Sequence, residues 1–503
     1  MKSTDSINAD APSEALASQR GAHSLLLRLA EGVATAGFLL YAVFAPHSIA
    51  GAEMSLAIVG AGWFLRTILM RRTGFRPTPL DLPIWLFFGW TILSAFFSQE
   101  SLISLLKIQS TCVILLFYLA QAVITRRTVI LVVALMIASG VAGSLWSVLE
   151  TIRGRGVVIE RMTDDSPFRE RLGAGDAIWR VGSRRVNSVA EIDEEIRKGR
   201  AGERLGISFI SEGENGEWPD LMVTEEMKAR PAPSGIESFG PTHRFRASGW
   251  TRHYETFSET LQILTQLALG LALAYLSARR TRRQAIISII ACSLLATGII
   301  LTAMRTVLFA TVIGASLIAW RSLRGRSRLV LLVVIALVFC TGTLIVWRTR
   351  ASQSLTLQDA SSTLRLRVAR TGLARIPLHP FFGHGMDAVK KHWEEWGFPG
   401  REMIHLHSTP LQIAFDRGLP ALIFWLWMMA AFWRLATRAE RSARQEQDAG
   451  RHGILLGATG ALAGFFASSL VNYNFGDGEV ALVFFWLMGV VVALSVRERA
   501  NVR

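Results

Sequence analysis

Apolar runs of about twenty residues recur along this chain, and no other feature limits its fold as tightly. The hydrocarbon core of a bilayer is about 30 Å thick, and a helix needs about 20 mostly apolar residues to cross it. Runs of that kind lie at approximately 30–47, 53–70, 82–98, 104–124, 128–149, 255–277, 284–303, 306–321, 328–347, 409–433, 453–472 and 479–496. Hydrocarbon offers no water to backbone polar groups, so such runs must be helices. The expected fold class is an all-α polytopic membrane protein of about twelve transmembrane helices. Composition agrees: 51% of the 503 residues are hydrophobic and 18% are charged, against about a quarter charged in soluble domains. An ordinary soluble enzyme is excluded.

The formal charge is +15, with 54 Lys and Arg. These residues do not suggest nucleic acid, because they cluster between apolar runs: Arg71-Arg72, Arg126-Arg127, Arg279-Arg280, Arg321 to Arg328, Arg434 to Arg444, and Arg497 with Arg499. Basic short loops stay in the cytoplasm, which puts both termini there and leaves 150–254 and 348–408 as long outer loops. The expected divisions are a disordered tail at 1–24, spans at 25–149, an inserted domain at 150–235, spans at 236–347, an outer site-bearing loop at 348–408, and spans at 409–503. Cys112, Cys292 and Cys340 all fall in apolar runs and read as small buried hydrophobes, not as a disulfide framework or metal site.

The first outer loop is too long and too patterned for a linker. Strands are expected at Val157–Ile159, Ala177–Val181 and Leu205–Ile210. Val189, Ile192 and Ile196 lie at helical spacing between the last two. With Ser166-Pro167, Gly175-Asp176 and Val186-Asn187-Ser188, the run 156–210 resembles a bacterial PDZ domain. That resemblance implies a small α+β module outside the membrane. It would take an extended C-terminal peptide of an envelope protein along a sheet edge, with the carboxylate held near Arg153-Gly154-Arg155-Gly156. Residues 153–232 are expected to fold alone.

The chemistry-bearing segments come after the module. Arg305 sits alone at the outer junction of two spans. A charge near hydrocarbon costs about 2.5–3.5 kcal/mol on insertion scales, so it is a functional suspect. Arg365, Arg367, Arg370 and Arg375 stand on an outer helix that Pro377 and Pro380 end. His405 and His407 precede the tenth apolar run; His405 is expected to point away from its neighbour.

Five pieces together resemble the O-antigen ligase and O-antigen polymerase superfamily of bacterial membrane glycosyltransferases. They are the twelve-span plan; Arg246-Ala-Ser-Gly249 ahead of His253; Met304-Arg305-Thr306; Arg365 followed by Pro380-Phe-Phe-Gly383-His384-Gly385; and His407-Ser408 followed, nine residues on, by Gly418. Thr306 stands where that family has glycine, and the inserted module is a second departure.

The resemblance implies transfer of a glycan from a polyprenyl (undecaprenyl) diphosphate to an acceptor hydroxyl at the periplasmic face of the bacterial inner membrane. It implies His407 as base and Arg305 and Arg365 as catalytic cations. Arg246, His253, Arg367, Arg370, His384 and Ser408 would bind substrate, with no metal and no cofactor. Partners would be the lipid bilayer, the lipid-linked donor, and a lipid, glycan or protein acceptor. Two alternatives stay open: a polymerase of the same superfamily, and a non-catalytic scaffold or lipid-linked glycan transporter.

Overall fold

The computed structural model describes residues 11–211, 214–238, 240–278, 281–349, 360–400 and 405–495. It opens with α1 (Ala11–Phe44), α2 (Ile49–Met70) and α3 (Asp81–Phe97). Next, α4 (Ser101–Lys107) runs through a 3-10 segment (Ile108–Ile114) into α5 (Leu115–Val123), and α6 (Arg126–Arg153) follows. The first helix starts at Ala11, so no unstructured tail extends to residue 24; residues 1–10 lie outside the described residues.

The inserted module holds β1 (Val157–Met162), β2 (Ala177–Val181), β3 (Arg184–Arg185), α7 (Val189–Lys198), β4 (Arg204–Ser211), β5 (Glu214–Met222), α8 (Glu225–Ala229) and β6 (Ile236–Ser238). Its strand order is β5-β4-β2-β1-β6, with β3 paired to β2. The strand Ala177–Val181 and the helix Val189–Lys198 have the bounds expected from sequence. Ser188 caps that helix by accepting from the Glu191 N–H. Ile192 and Ile196 are fully buried against Phe168, Ile178 and Val181, which gives the module a core of its own. The sheet does not end at residue 235: β6 pairs with β1, and Arg155 bridges to Thr242. A fragment 153–232 would therefore lack one edge strand.

The bundle resumes with α9 (Tyr254–Ser277), α10 (Arg282–Leu301), α11 (Arg305–Ser322) and α12 (Gly325–Thr349). A shorter pair follows, α13 (Ala360–Arg375) and α14 (Ala388–Lys391), and then α15 (Thr409–Gln445), α16 (Ala449–Ser469) and α17 (Gly478–Ser495). All twelve expected spans are helical in the described residues. Among the described residues, ten helices, not twelve, are long and apolar enough to cross a membrane. The α3 helix has only 17 residues, and α11 carries an arginine near each end. The protein is thus a mostly helical, multi-pass membrane protein.

Helices α9, α16 and α17 form the centre, and α12 lies at the periphery. The centre is tight because α16 repeats glycine at 453, 457, 460 and 464. A Cβ on Gly457 would lie 2.6 Å from Leu267 Cα. Helices in hydrocarbon associate by such close packing of small residues. Peripheral faces instead expose Ile286, Ile290, Leu329 and Leu337. Cys112 and Cys340 are also exposed, contrary to expectation. A small apolar side chain needs no burial on a helix whose surroundings are lipid.

Candidate active site

Five chain segments meet at the end of the bundle that carries the module. The first precedes α9. Its backbone is tied to α10 by the Ala247 N–H, which donates to the Leu301 carbonyl at 3.0 Å. The Arg246 guanidinium is buried, 4.3 Å over the Tyr254 ring, with Nη1 3.8 Å from Met304 Sδ. Arg246 therefore lies beside the α10–α11 turn. Ala303, in that turn, has a φ of +54°. Left-handed backbone is costly for a residue with a Cβ and persists only where the surroundings impose it.

Arg305 is the first residue of α11. Beside it, Thr306 Oγ1 accepts from Asn472 Nδ2 at 3.1 Å. Asn472 belongs to the loop between α16 and α17 and also holds the start of α15. Its carbonyl accepts from the Thr409 N–H and from Thr409 Oγ1, both at 3.1 Å. The same amide donates to Glu259 Oε1 at 3.0 Å, and Asn474 Nδ2 donates to Glu259 Oε2 at 3.3 Å. Ser468 Oγ donates to Glu259 as well. Asn472 thus ties the start of α15 to the start of α11, and Glu259, buried one turn inside α9, holds Asn472 and Asn474 in place.

His407 stands two residues before Thr409, with a φ of +54°. Its N–H donates to His405 Nδ1 at 3.4 Å, and the two rings meet edge to face at 4.5 Å. His405 therefore faces His407, contrary to expectation, because 405–408 is not helical. Burial pushes the His407 pKa down to about 2, helped by His405 and the Arg365 charge. His405 is also lowered, chiefly by burial. Both imidazoles are neutral at ordinary pH, and a neutral ring can accept a proton. Arg365, on α13, pairs with Glu255 on α9 at 3.7 Å. Arg246, Arg305, Arg365 and His407 are thus drawn into one neighbourhood.

The starts of α9, α11 and α15 converge there. Each helix N-terminus carries roughly half a positive charge, so the dipoles add to the guanidinium groups. A site of this kind favours an anion with several oxygens.

The other expected site residues have different places. Ser408 is the N-cap of α15, without a side-chain cap bond. His253 is exposed at the N-cap of α9. Arg367 and Arg370 lie on the exposed face of α13. His384, expected to bind substrate, is instead packed inside the protein. It is 1% exposed and stacks on Phe415 at 4.3 Å, with Nε2 3.1 Å from the Arg375 carbonyl and Nδ1 2.6 Å from Gln99 Oε1. Burial lowers its pKa to about 4, so the ring is neutral. A neutral ring that donates through Nε2 must accept at Nδ1, which assigns the facing atom of Gln99 to its NH2 group.

His384 belongs to a turn that plugs a break in α15. The Leu419 N–H donates to the Pro380 carbonyl at 2.8 Å, the His384 N–H to Phe415 at 2.8 Å, and the Gly385 N–H to Asp416 at 3.1 Å. Gly418 makes the break, with a φ of +83°, and a Cβ there would lie 2.0 Å from the Phe381 carbonyl oxygen.

Two N–H groups of the expected peptide-carboxylate loop at 153–156 are already taken within the protein. The Gly154, Arg155 and Val158 N–H groups donate to Glu150, Thr242 and Gly240. The Arg155 guanidinium grips the Glu150 carboxylate through Nε at 3.0 Å and Nη2 at 2.5 Å. Arg185 joins Glu150 at 3.0 Å and donates to the Gly249 carbonyl at 2.8 Å. The module is clamped to the bundle at the residues leading into α9.

Sequence reading missed Glu255, Glu259, Asn472 and Asn474. Two signals were present: a lone carboxylate inside an apolar span, and the polar run 472–477 between the last two spans.

Residues 290–426 match a family model described as O-Antigen ligase. The match supports the O-antigen ligase superfamily. With it comes a glycosyltransferase-like enzyme in general terms. The matched segment contains Arg305, Arg365, the plug, His407 and Gly418. It leaves out Arg246 and the module. No curated protein matches the chain.

Proposed function

We propose that this protein is an O-antigen ligase-like glycosyltransferase. It moves a glycan from a polyprenyl diphosphate to an acceptor hydroxyl at the periplasmic face of a bacterial inner membrane. One observation carries the reading: three helix N-termini and the residues Arg246, Arg305, Arg365 and His407 share one end of the bundle. The diphosphate leaving group gains charge as the glycosyl bond breaks, and fixed cations already in place stabilise that charge. His407 takes the proton of the acceptor hydroxyl. On its own His407 is too weak a base, because burial, His405 and Arg365 oppose its cation. A bound diphosphate offsets the Arg365 charge and raises the basicity of His407 when the donor is in place.

Orientation rests on the basic clusters, which gather at the opposite end. There Arg321 pairs with Glu440 at 2.5 Å, and Arg444 donates to the Arg321 carbonyl at 3.2 Å. The decisive experiment is chemical analysis of surface glycans and lipid-linked intermediates from a deletion strain. Full-length glycan stranded on the lipid carrier is the expected result. Loss of polymer length would instead make the protein a polymerase, and an unchanged profile would remove the transfer reaction altogether.

A further inference from the structure

A cleft of about 150 Å³ separates the module from the bundle. The module contributes Trp179, Asn215 and Glu217, and the bundle contributes His253, Tyr254 and Glu255. By the space one water probe occupies, this volume holds on the order of ten waters, enough for a sugar ring. We infer that this cleft binds a hydroxyl-rich, uncharged saccharide segment of the acceptor. The inference rests on the transfer reading for the word acceptor, but not for the binding itself.

Three features argue for a saccharide. First, the cleft mixes donors, acceptors and aromatic rings, as hydroxyl recognition requires, since each hydroxyl both donates and accepts. Two of its residues carry buried polar atoms with no hydrogen-bond partner among the described residues: Trp179 Nε1, a donor, and Asn215 Oδ1, an acceptor. Both atoms lie just beneath the cleft wall and cost about 1–3 kcal/mol each when left unmatched, so a small side-chain shift that lets a hydroxyl meet either one recovers that cost. Second, the carboxylates of the cleft and its Arg252 are already paired within the protein, Glu217 with Arg252 and Glu255 with Arg365, which favours an uncharged ligand over the diphosphate. Glu217 is held by Arg180 at 3.0 Å and Arg252 at 3.1 Å, so its charge is fixed in place. Third, the cleft leads to the cations. Glu255 pairs with Arg365, and Tyr254 lies under Arg246. A saccharide seated there has its next residues beside His407.

An extended peptide fits less well. Residues 215–217 lie on an edge strand, but this stretch of edge already faces the bundle. Asn215 Nδ2 donates to the Arg246 carbonyl at 3.5 Å, and Arg252 grips Glu217.

The test is saturation-transfer NMR on the full chain in detergent, without donor, using maltotriose, chitotriose and mannotriose as probes. At least one probe should give difference signals with the unmodified chain. Trp179→Phe, which keeps the ring and removes the N–H, should weaken binding roughly tenfold. Asn215→Leu should do the same, while Asn215→Asp, which keeps an acceptor oxygen, should stay within about threefold. Binding of a soluble polyprenyl diphosphate analogue should change less than about twofold in all three, which marks them as folded. No signal from any probe overturns the inference. So does equal binding in Asn215→Leu, which also serves if Trp179→Phe fails to fold. Displacement of the bound trisaccharide by a C-terminal peptide would make the cleft a peptide site and overturn it as well. Because no turnover is involved, saccharide binding with no transfer would count against the proposed reaction and not against the cleft.

Discussion

His384 and His407 lie on two turns that lean on the same helix, and they have opposite surroundings. The 380–385 turn is closed. The His384 and Gly385 N–H groups and the Pro380 carbonyl are matched to the α15 break, and both ring nitrogens of His384 have partners. The 405–409 turn holds its histidines beside charge. Glu255 and Arg365 act on His405, and Arg365 acts on His407. Both turns belong to the pattern that pointed to the superfamily. A motif histidine with both nitrogens engaged by the protein positions backbone, whereas His407, held neutral beside Arg365, is the base of the proposed reaction. Separate perturbations of the two turns should therefore fail in different ways.

The largest effect is expected from Gly418→Ala. The new Cβ would meet the Phe381 carbonyl at 2.0 Å, and backbone at a φ of +83° is strained for alanine. Folded protein in membranes should fall to a small fraction of the unmodified level, measured by detergent extraction and size-exclusion chromatography. A normal monodisperse yield would show that the plug does not hold the break. His407→Ala should do the reverse, with normal yield and transfer lowered about a thousandfold, in the range of a lost general base. Binding of the diphosphate analogue should stay within threefold. Transfer near the unmodified rate would remove His407 from the chemistry.

This division was only partly readable in the sequence. The spans were, because hydrocarbon tolerates little besides apolar helix. Helix α7 was, because its apolar spacing and its Ser188 cap are local. Gly418 stood out as a spaced glycine, but its reason, the close approach of Phe381, comes from residues 37 positions earlier in the chain. His405 was misjudged because helical geometry was assumed for a turn that is not helical. Arg155 was read as part of a ligand loop because its partner Glu150 lies at the end of a span, where apolar pattern alone gives no hint of an ion pair. Glu259 and Asn472 meet across 213 positions, and no local pattern reports such a contact.

Glu259 gives the third test, since it supports the open turn without belonging to it. Glu259→Ala removes the acceptor shared by Ser468, Asn472 and Asn474. It should lower kcat about 30-fold, with the donor KM changed less than threefold, as a misplaced base does. Glu259→Gln keeps one acceptor oxygen and should retain roughly a third of the rate. Equal loss in both variants would point to the carboxylate charge in place of the geometry. A change confined to donor KM would place Glu259 with the arginines and apart from His407.

The smallest effect expected is on the pH dependence of stability, and it concerns the closed turn. His384 is held neutral down to about pH 4 in the folded chain, whereas an unfolded histidine takes its proton near pH 6.5. Between those values the unfolded state binds more protons, so stability falls as pH falls and levels off near pH 4. His47 has the same direction and a similar pKa, and the His407 contribution continues to still lower pH. His384→Gln should therefore flatten the fall of the apparent Tm between pH 6.5 and 4 without abolishing it, while lowering Tm at pH 7.5 through the lost Phe415 stacking. An unchanged slope would mean that His384 is already protonated in the folded chain. The ring would then donate through both nitrogens, with Gln99 presenting its oxygen instead of its NH2 group.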